Sequence, residues 1–319
     1  MNPKKSIVVG CLGQDGVLLT DVLTKRGDDV LGIARGSSIG YGTVPVFGSI
    51  DVIDRSSVRG VLKQFEPDEV YYLAAKHVSS EGGVHGKSLL EQFEAAHRVH
   101  VVGPMNIMDA MVEVAPKARF FYASSSLVFS GENGEVQDEN TPLSPQGVYG
   151  MTKVQGMCLC REYRRLHNLH TAIGILYNHE SHLRADQFLT AKIIRTAIRI
   201  SRGSSEKLTV GSLASRVDWG YARDYVGAFT KILSLREGGD FVIATGEAHT
   251  VHEFITLVFE YLGLDPEPHI YESPQILTRT PLVKIGDAGK LRRLTGWAPT
   301  YSFSDFVRQL VKDHIEQER

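Results

Sequence analysis

The 319-residue sequence predicts an α/β protein, a doubly wound parallel sheet followed by a smaller C-terminal lobe. Three observations lead there. Short apolar runs without polar alternation recur through the first half, as strands covered on both faces require. Helical patterns separate these runs at the spacing of strand–helix–strand crossovers. A glycine-rich turn, Gly10-Cys11-Leu12-Gly13-Gln14-Asp15-Gly16, stands where the first run passes into the first helical pattern.

In order, Ser6-Ile7-Val8-Val9-Gly10 reads as a buried strand, with a helix from about Gly16 to Arg26 and a strand from Asp29 to Ala34. Ser57 to Phe65 reads as a helix and Glu69 to Leu73 as a strand. A long helical region covers about Leu89 to Val114. Arg119 to Ala123 is a strand, Tyr149 to His167 a helix, and Thr171 to Leu176 a strand. Beyond these, Phe188–Ile200, Asp224–Leu235, Val251–Leu262 and Ser302–Glu318 carry helical patterns, and prolines near 266 and 274 mark loops. The expected division is a dinucleotide-binding, Rossmann-like domain over 1–178 and a second lobe over 179–319, with a piece near 220–245 returning to the sheet.

Bulk composition narrows the class. The chain is 42% hydrophobic and 23% charged, with a net charge of −2. That balance carries no electrostatic footprint for nucleic acid or an anionic membrane, so neither is an expected partner. Three cysteines, Cys11, Cys158 and Cys160, make neither a disulfide framework nor a zinc pattern. No signal-peptide pattern opens the chain and no apolar run reaches membrane-spanning length, so a cytoplasmic location is expected. His167-x-x-His170 and His179-x-x-His182 lack a third ligand of convincing spacing, so no metal is expected.

The glycine turn points to a dinucleotide. Glycines let the backbone turn tightly and approach a pyrophosphate, while the helix start offers free N–H groups and a positive dipole end. Gly10, Gly13, Gln14, Asp15 and Gly16 are therefore cofactor candidates, joined by Leu73-Ala74-Ala75 after a later strand. The spacing is G-x-x-G-x-x-G. An acidic residue ending the second strand would mark NAD; the chain has Arg35, Ser37 and Ser38 there, which suit a 2′-phosphate. NADP is the expected cofactor, with NAD as the alternative. Asp51, followed by Val52, is a candidate for the adenine end, its bland alternative being a helix cap.

Tyr149 and Lys153 lie four residues apart in one helix and so share a face. A free tyrosine has a pKa of about 10, and a neighbouring ammonium favours its phenolate. Ser125, within Ser124-Ser125-Ser126, is placed to hold the reacting oxygen. Serine, tyrosine and lysine so arranged suit proton exchange with a sugar hydroxyl during hydride transfer.

These residues resemble the extended short-chain dehydrogenase/reductases of the NAD-dependent epimerase/dehydratase family, and most of all its GDP-mannose 4,6-dehydratase group. The likeness runs from Gly13-Gln14-Asp15-Gly16 and Pro67-Asp68-Glu69-Val70-Tyr71 through Asn178-His179-Glu180-Ser181, with Phe188 and Lys192 following. It continues through Asp218-Trp219-Gly220, Asp224-Tyr225-Val226, Ala244-Thr245-Gly246-Glu247 and Gly296-Trp297-Ala298-Pro299. It implies an enzyme whose substrate is a nucleotide-diphosphate sugar, GDP-linked, faced by Ser126, Asn178, Glu180, Lys192 and Arg279. It also implies a homodimer paired through helices at about 89–114 and 149–167, with a tetramer left open.

Three departures bear on the reaction. Leu127 stands where the dehydratases carry a glutamate beside their hydroxyl pair. Leucine exchanges no protons, and losing a general acid–base costs about 10²–10⁴-fold. The stretch from Arg35 to Asp51 is shorter than the dehydratases' cofactor loop. His100 replaces an asparagine that supports the proton relay, and Arg216-Val217 alters the sugar-facing segment. The expected function is hydride transfer at sugar C4, of the 4-keto reductase or epimerase type. One alternative is a dehydratase with a displaced acid–base at His179, Glu180 or His182; another is a non-catalytic dinucleotide sensor or scaffold.

Overall fold

A computed structural model describes residues 3–35, 46–48, 50–76, 88–131, 136–277 and 282–317, with 46–48 as backbone. Seven parallel strands form the central sheet: β1 (Lys5–Val9), β2 (Asp29–Ala34), β3 (Val46–Gly48), β4 (Glu69–Tyr72), β5 (Arg119–Ala123), β6 (His170–Leu176) and β7 (Asp240–Ile243). Their order is β7-β6-β5-β4-β1-β2-β3, every pairing parallel. The chain runs from β1 outward to β3, then returns to the other side of β1 with β4. That reversal opens a crevice at the carboxyl ends of β1 and β4, the usual ligand position in such sheets.

Strand alternation sorts the core into two layers. Val9, Tyr72, Phe120 and Tyr122 face α2 (Arg55–Phe65), α4 (Gly103–Val114) and α5 (Gly147–His167). Val8, Tyr71 and Phe121 face α1 (Gln14–Arg26) and α7 (Ala222–Ser234), a layer to which α9 (Gly289–Thr295) adds Leu291. A third apolar core joins α6 (Leu189–Ser201), α8 (Val251–Tyr261) and α10 (Phe303–Gln317) through Ile193, Phe254, Val258, Phe306 and Leu310. The segment Ala222–Ile243 supplies α7 and β7 to the sheet, between elements of the third core. Among the described residues no helix is long and apolar enough to cross a membrane.

The expected helical region 89–114 is helical throughout, but not α-helical throughout. It comprises α3 (Leu89–His97), a π-helical turn Arg98–Val102, and α4. Pro104 explains the interruption, because it has no N–H for the carbonyls one turn before it. Gly103 N reaches back five residues to Arg98 O. The carbonyls of Val99 and His100 accept instead from the hydroxyls of Tyr72 and Tyr122, at 2.6 and 2.9 Å. Strand β3 had no signal, since its three residues pair only at the sheet edge. Helix α5 starts two residues before Tyr149, so the tyrosine lies inside its first turn.

Candidate active site

A cleft of about 610 Å³ opens at the crevice, lined from the glycine turn at one end to Ser125, Tyr149 and Lys153 at the other. The turn is built by close approach. Gly10 has φ 88°, and a Cβ there would lie 2.8 Å from Ala74 N. A Cβ on Gly16 would collide with the Gly10 carbonyl oxygen. A phosphate-sized group therefore meets bare backbone at the start of α1, the fit a dinucleotide needs.

Gln14 and Asp15 line this cleft, yet their side chains also serve another purpose. Gln14 Oε1 accepts from both Ser181 N and Ser181 Oγ at 3.0 Å, and its Nε2 donates to His179 O at 3.1 Å. Asp15 Oδ2 lies 2.9 Å from His179 Nε2, while His179 Nδ1 lies 2.7 Å from Tyr177 O. Both ring nitrogens face acceptors, which favours the imidazolium. Burial opposes that charge, but the Asp15 carboxylate and these bonds raise the His179 pKa above its ordinary value. Asp15 is held low despite its own burial, by His179 first. The two shifts agree in direction and describe a buried ion pair. His179 also stacks on Tyr225, with centroids 4.6 Å apart. The short strand Asn178–Glu180 is thereby fastened to the glycine turn.

At the other end, Ser125 follows β5 and its Oγ accepts from Leu127 N at 3.2 Å, leaving its hydroxyl hydrogen to donate elsewhere. Tyr149 is half-buried in the first turn of α5. One turn on, Lys153 is 1% exposed, and its Nζ donates to Ala123 O at 2.7 Å. That nitrogen lies 5.7 Å from the Tyr149 ring centre and 5.0 Å from that of Tyr122. Burial lowers the Lys153 pKa to about 7. The spacing implied an ammonium beside Tyr149; burial makes Lys153 a group that titrates near neutral pH.

His100, in the π turn, is fully buried. Its Nε2 accepts from Lys76 N at 2.9 Å, so Nδ1 carries the proton and donates to Thr152 Oγ1 at 2.8 Å. Thr152 passes a hydrogen to the carbonyl of Val148 at 2.9 Å. The imidazole meets the Tyr149 ring edge-on at 5.1 Å. His100 thus joins the segment after Ala75 to the turn that carries Tyr149.

Arg35, Asp51, Val52, Leu73, Ala74, Ala75 and Asn178 also line the cleft. Asp51 Oδ1 accepts from Ile53 N at 3.2 Å, and the cap of α2 is Asp54. Three expected substrate ligands lie elsewhere. Glu180 is buried, its carboxylate taken by Thr190 Oγ1 at 2.7 Å and Arg184 at 3.2 Å. Ser126 is buried off the cleft, and Lys192 sits in the first turn of α6, outside the lining. Ser37, Ser38 and Arg279 fall outside the described residues. Arg184 and Tyr177 line the cleft without having been singled out; the signal for Arg184 was its place just after the Asn178–Ser181 motif. No group of three potential metal ligands occurs among the described residues.

The family described as GDP-mannose 4,6 dehydratase matches residues 7–310. GDP-mannose 4,6 dehydratase 1 of Arabidopsis thaliana is 32% identical over 341 residues, covering 99% of this chain and 91% of the relative. The GDP-mannose 4,6 dehydratase of Homo sapiens is 29% identical, covering 98% and 91%. The fold matches the UDP-glucose 4-epimerase of Thermus thermophilus in complex with NAD at a TM-score of 0.82, with 23% identity and 98% and 99% coverage. It matches RMD from Pseudomonas aeruginosa complexed with NADPH at 0.80, with 19% identity and 99% and 100% coverage.

Proposed function

The chain belongs to the GDP-mannose 4,6-dehydratase family of nucleotide-sugar enzymes, and on that premise we propose that it transfers hydride at C4 of a GDP-linked hexose or deoxyhexose, as a 4-keto reductase or epimerase using NADP. The carrying observation is the set of groups at the cleft. Ser125, Tyr149 and Lys153 converge there, and among the described residues the only lining carboxylates are Asp15 and Asp51. Asp15 is paired with His179, and Asp51 lies with Arg35 and Val52 at the opposite end from Tyr149. Elimination of water from C6 needs a base for the C5 proton and an acid for the leaving hydroxyl. Leu127 offers neither, and Glu180 is already engaged.

When bound, the nicotinamide supplies or accepts the hydride. Tyr149 gives its proton to the sugar oxygen in reduction and takes it back in oxidation. The Ser125 hydroxyl donates to the same oxygen and orients it. A protonated Lys153 stabilises the Tyr149 phenolate by charge. Arg35, exposed at the end of β2 with no acidic residue beside it in that strand end, supports NADP. Exposed Leu89 and Leu90 on α3, Met105 on α4 and Met151 on α5 support a homodimer through these helices.

The test is a panel of GDP-sugars and their 4-keto derivatives with NADP or NADPH, read by mass spectrometry and absorbance. NADPH oxidation by a 4-keto sugar, or C4 epimerisation, is expected, with a loss of about 10²–10⁴-fold in Tyr149→Phe. Dehydration of GDP-mannose at an ordinary enzymic rate would overturn the reading.

A further inference from the structure

We propose that a second, polar cavity beside the glycine turn binds a doubly charged tetrahedral oxyanion of the phosphate class. The cavity measures about 380 Å³. Its wall joins elements distant in the chain: Gly13 and Gln14 at the start of α1, His182 and Arg184 after the Asn178–Glu180 strand, Arg195 on α6 and His314 on α10.

His314 is 3% exposed. Its Nδ1 lies 2.8 Å from Leu310 O and so carries the ring proton. The opposite nitrogen, Nε2, has no hydrogen-bond partner among the described residues. Across the same cavity His182 Nδ1 is also buried and unpartnered. Buried polar atoms are nearly always bonded, and leaving one unpaired is costly. Two such nitrogens, each on a residue that lines this cavity, point to a shared ligand.

Charge says which kind. Arg184 and Arg195 bring cations, and the first turn of α1 brings its positive dipole end. Nearby carboxylates already have partners: Asp186 pairs with Arg195, Glu180 with Arg184 and Thr190, and Asp313 with Tyr221 Oη and Gln309. Arg223 adds a further positive influence on His182. A metal cation would meet two arginines and no uncommitted carboxylate, whereas an oxyanion would accept from both imidazoles once protonated and from the guanidinium N–H groups left over by Asp186 and Glu180.

Protons should follow the anion. Burial first, then Arg195 and His182, hold the His314 pKa below its ordinary value, against the Leu310 carbonyl and Asp313. Burial, Arg223 and Arg195 do the same to His182, again against Asp313. Both rings are therefore neutral at pH 7 without a ligand and gain protons when an anion arrives. For each proton taken up, affinity falls tenfold per pH unit above the ring's pKa. The cavity shares Gly13, Gln14 and Arg184 with the main cleft, so its occupant would act on the turn that cradles the dinucleotide.

Sulfate is the probe, because it stays a dianion across the histidine range. Calorimetric titration of the cofactor-free chain should show one saturable site at about pH 6, weakened about tenfold or more by pH ~7.5. His314→Phe should weaken it about tenfold or more, and NADPH should still bind with sulfate in place. His182→Phe, at a half-exposed position, gives the same readout if His314→Phe does not fold. Absence of saturable binding at the lower pH, or unchanged affinity in the variants, would overturn the proposal. So would one-for-one displacement of sulfate by NADPH, which would put the ion in the dinucleotide cleft.

Discussion

Lys153 shows how burial turns a familiar residue into a titrating one. Its pKa falls from 10.5 to about 7. Between those values the unfolded chain holds a proton that the folded chain has released, so stability rises with pH across that window. Below pH 7 the folded protein carries the full cost of a buried ammonium, on the order of a few kcal/mol at ~1.4 kcal/mol per unit. Lys153→Met, without cofactor, should therefore melt higher than the parent at about pH 6, with the gap closing toward pH ~10. A gap that does not change with pH would show that lysine titration is not its source. The residue types and spacing of Ser125, Tyr149 and Lys153 were legible in the sequence, because chemistry fixes them. Their protonation was not, because it depends on strand β5 closing over Nζ. Glu180 was misplaced for the same reason: a motif gives a residue's address in the chain, not the direction its side chain takes.

At the scale of elements, apolar runs and turns located five sheet strands to within a residue or two; β3 was not read, and β7 was foreseen only as a piece near 220–245 returning to the sheet. Failures came where hydrogen bonding departs from the regular ladder. Over 89–114 the helix runs unbroken while its bonding changes from α to π and back, so the sequence pattern gave the helix and not the π turn. The glycine turn, by contrast, was readable because only glycine tolerates its geometry. Gly16→Ala would drive a methyl into the Gly10 carbonyl oxygen and push the start of α1 away. NADPH affinity, followed by fluorescence titration, should fall about 100-fold or more, equivalent to about 3 kcal/mol. Binding within twofold of the parent would mean the turn is not the pyrophosphate cradle.

For the whole molecule, the motifs that carried the family likeness bind one another. Gln14-Asp15 and His179-Ser181, some 165 residues apart, hold one another. Asp218 accepts from the backbone N–H groups of Thr245, Gly246 and Gly286, and Asp224 takes Thr300 N while its carbonyl receives Trp297 Nε1. Separate stretches of sequence resemblance are thus partners in space. The Asp15–His179 pair has a pH signature. Asp15 is depressed, so its share of stability is present above about pH 4 and lost as acid protonates it. His179 is raised, so its share is full below about pH 6.5 and lost as pH rises through the folded value. Asp15→Asn should cost about 3–5 kcal/mol between those limits and less above them, seen as a fall in Tm that narrows in alkali. A fall that does not narrow as pH rises beyond about 6.5 would mean His179 is not charged in the fold.

The π turn also sets a phase. A π turn holds one residue more than an α turn, and one residue is worth about 100° of rotation about a helix axis. Helix α4 cannot take up such a rotation, since seven of its residues are buried and Asn106 is tied to Val52 O. In α3 only Ala96 is buried. Removing one residue from Arg98–Val102 would swing α3 alone and carry Leu89 and Leu90 to a new bearing. The surplus residue works as a vernier, setting the bearing of the exposed apolar face of α3 relative to α4 and the sheet.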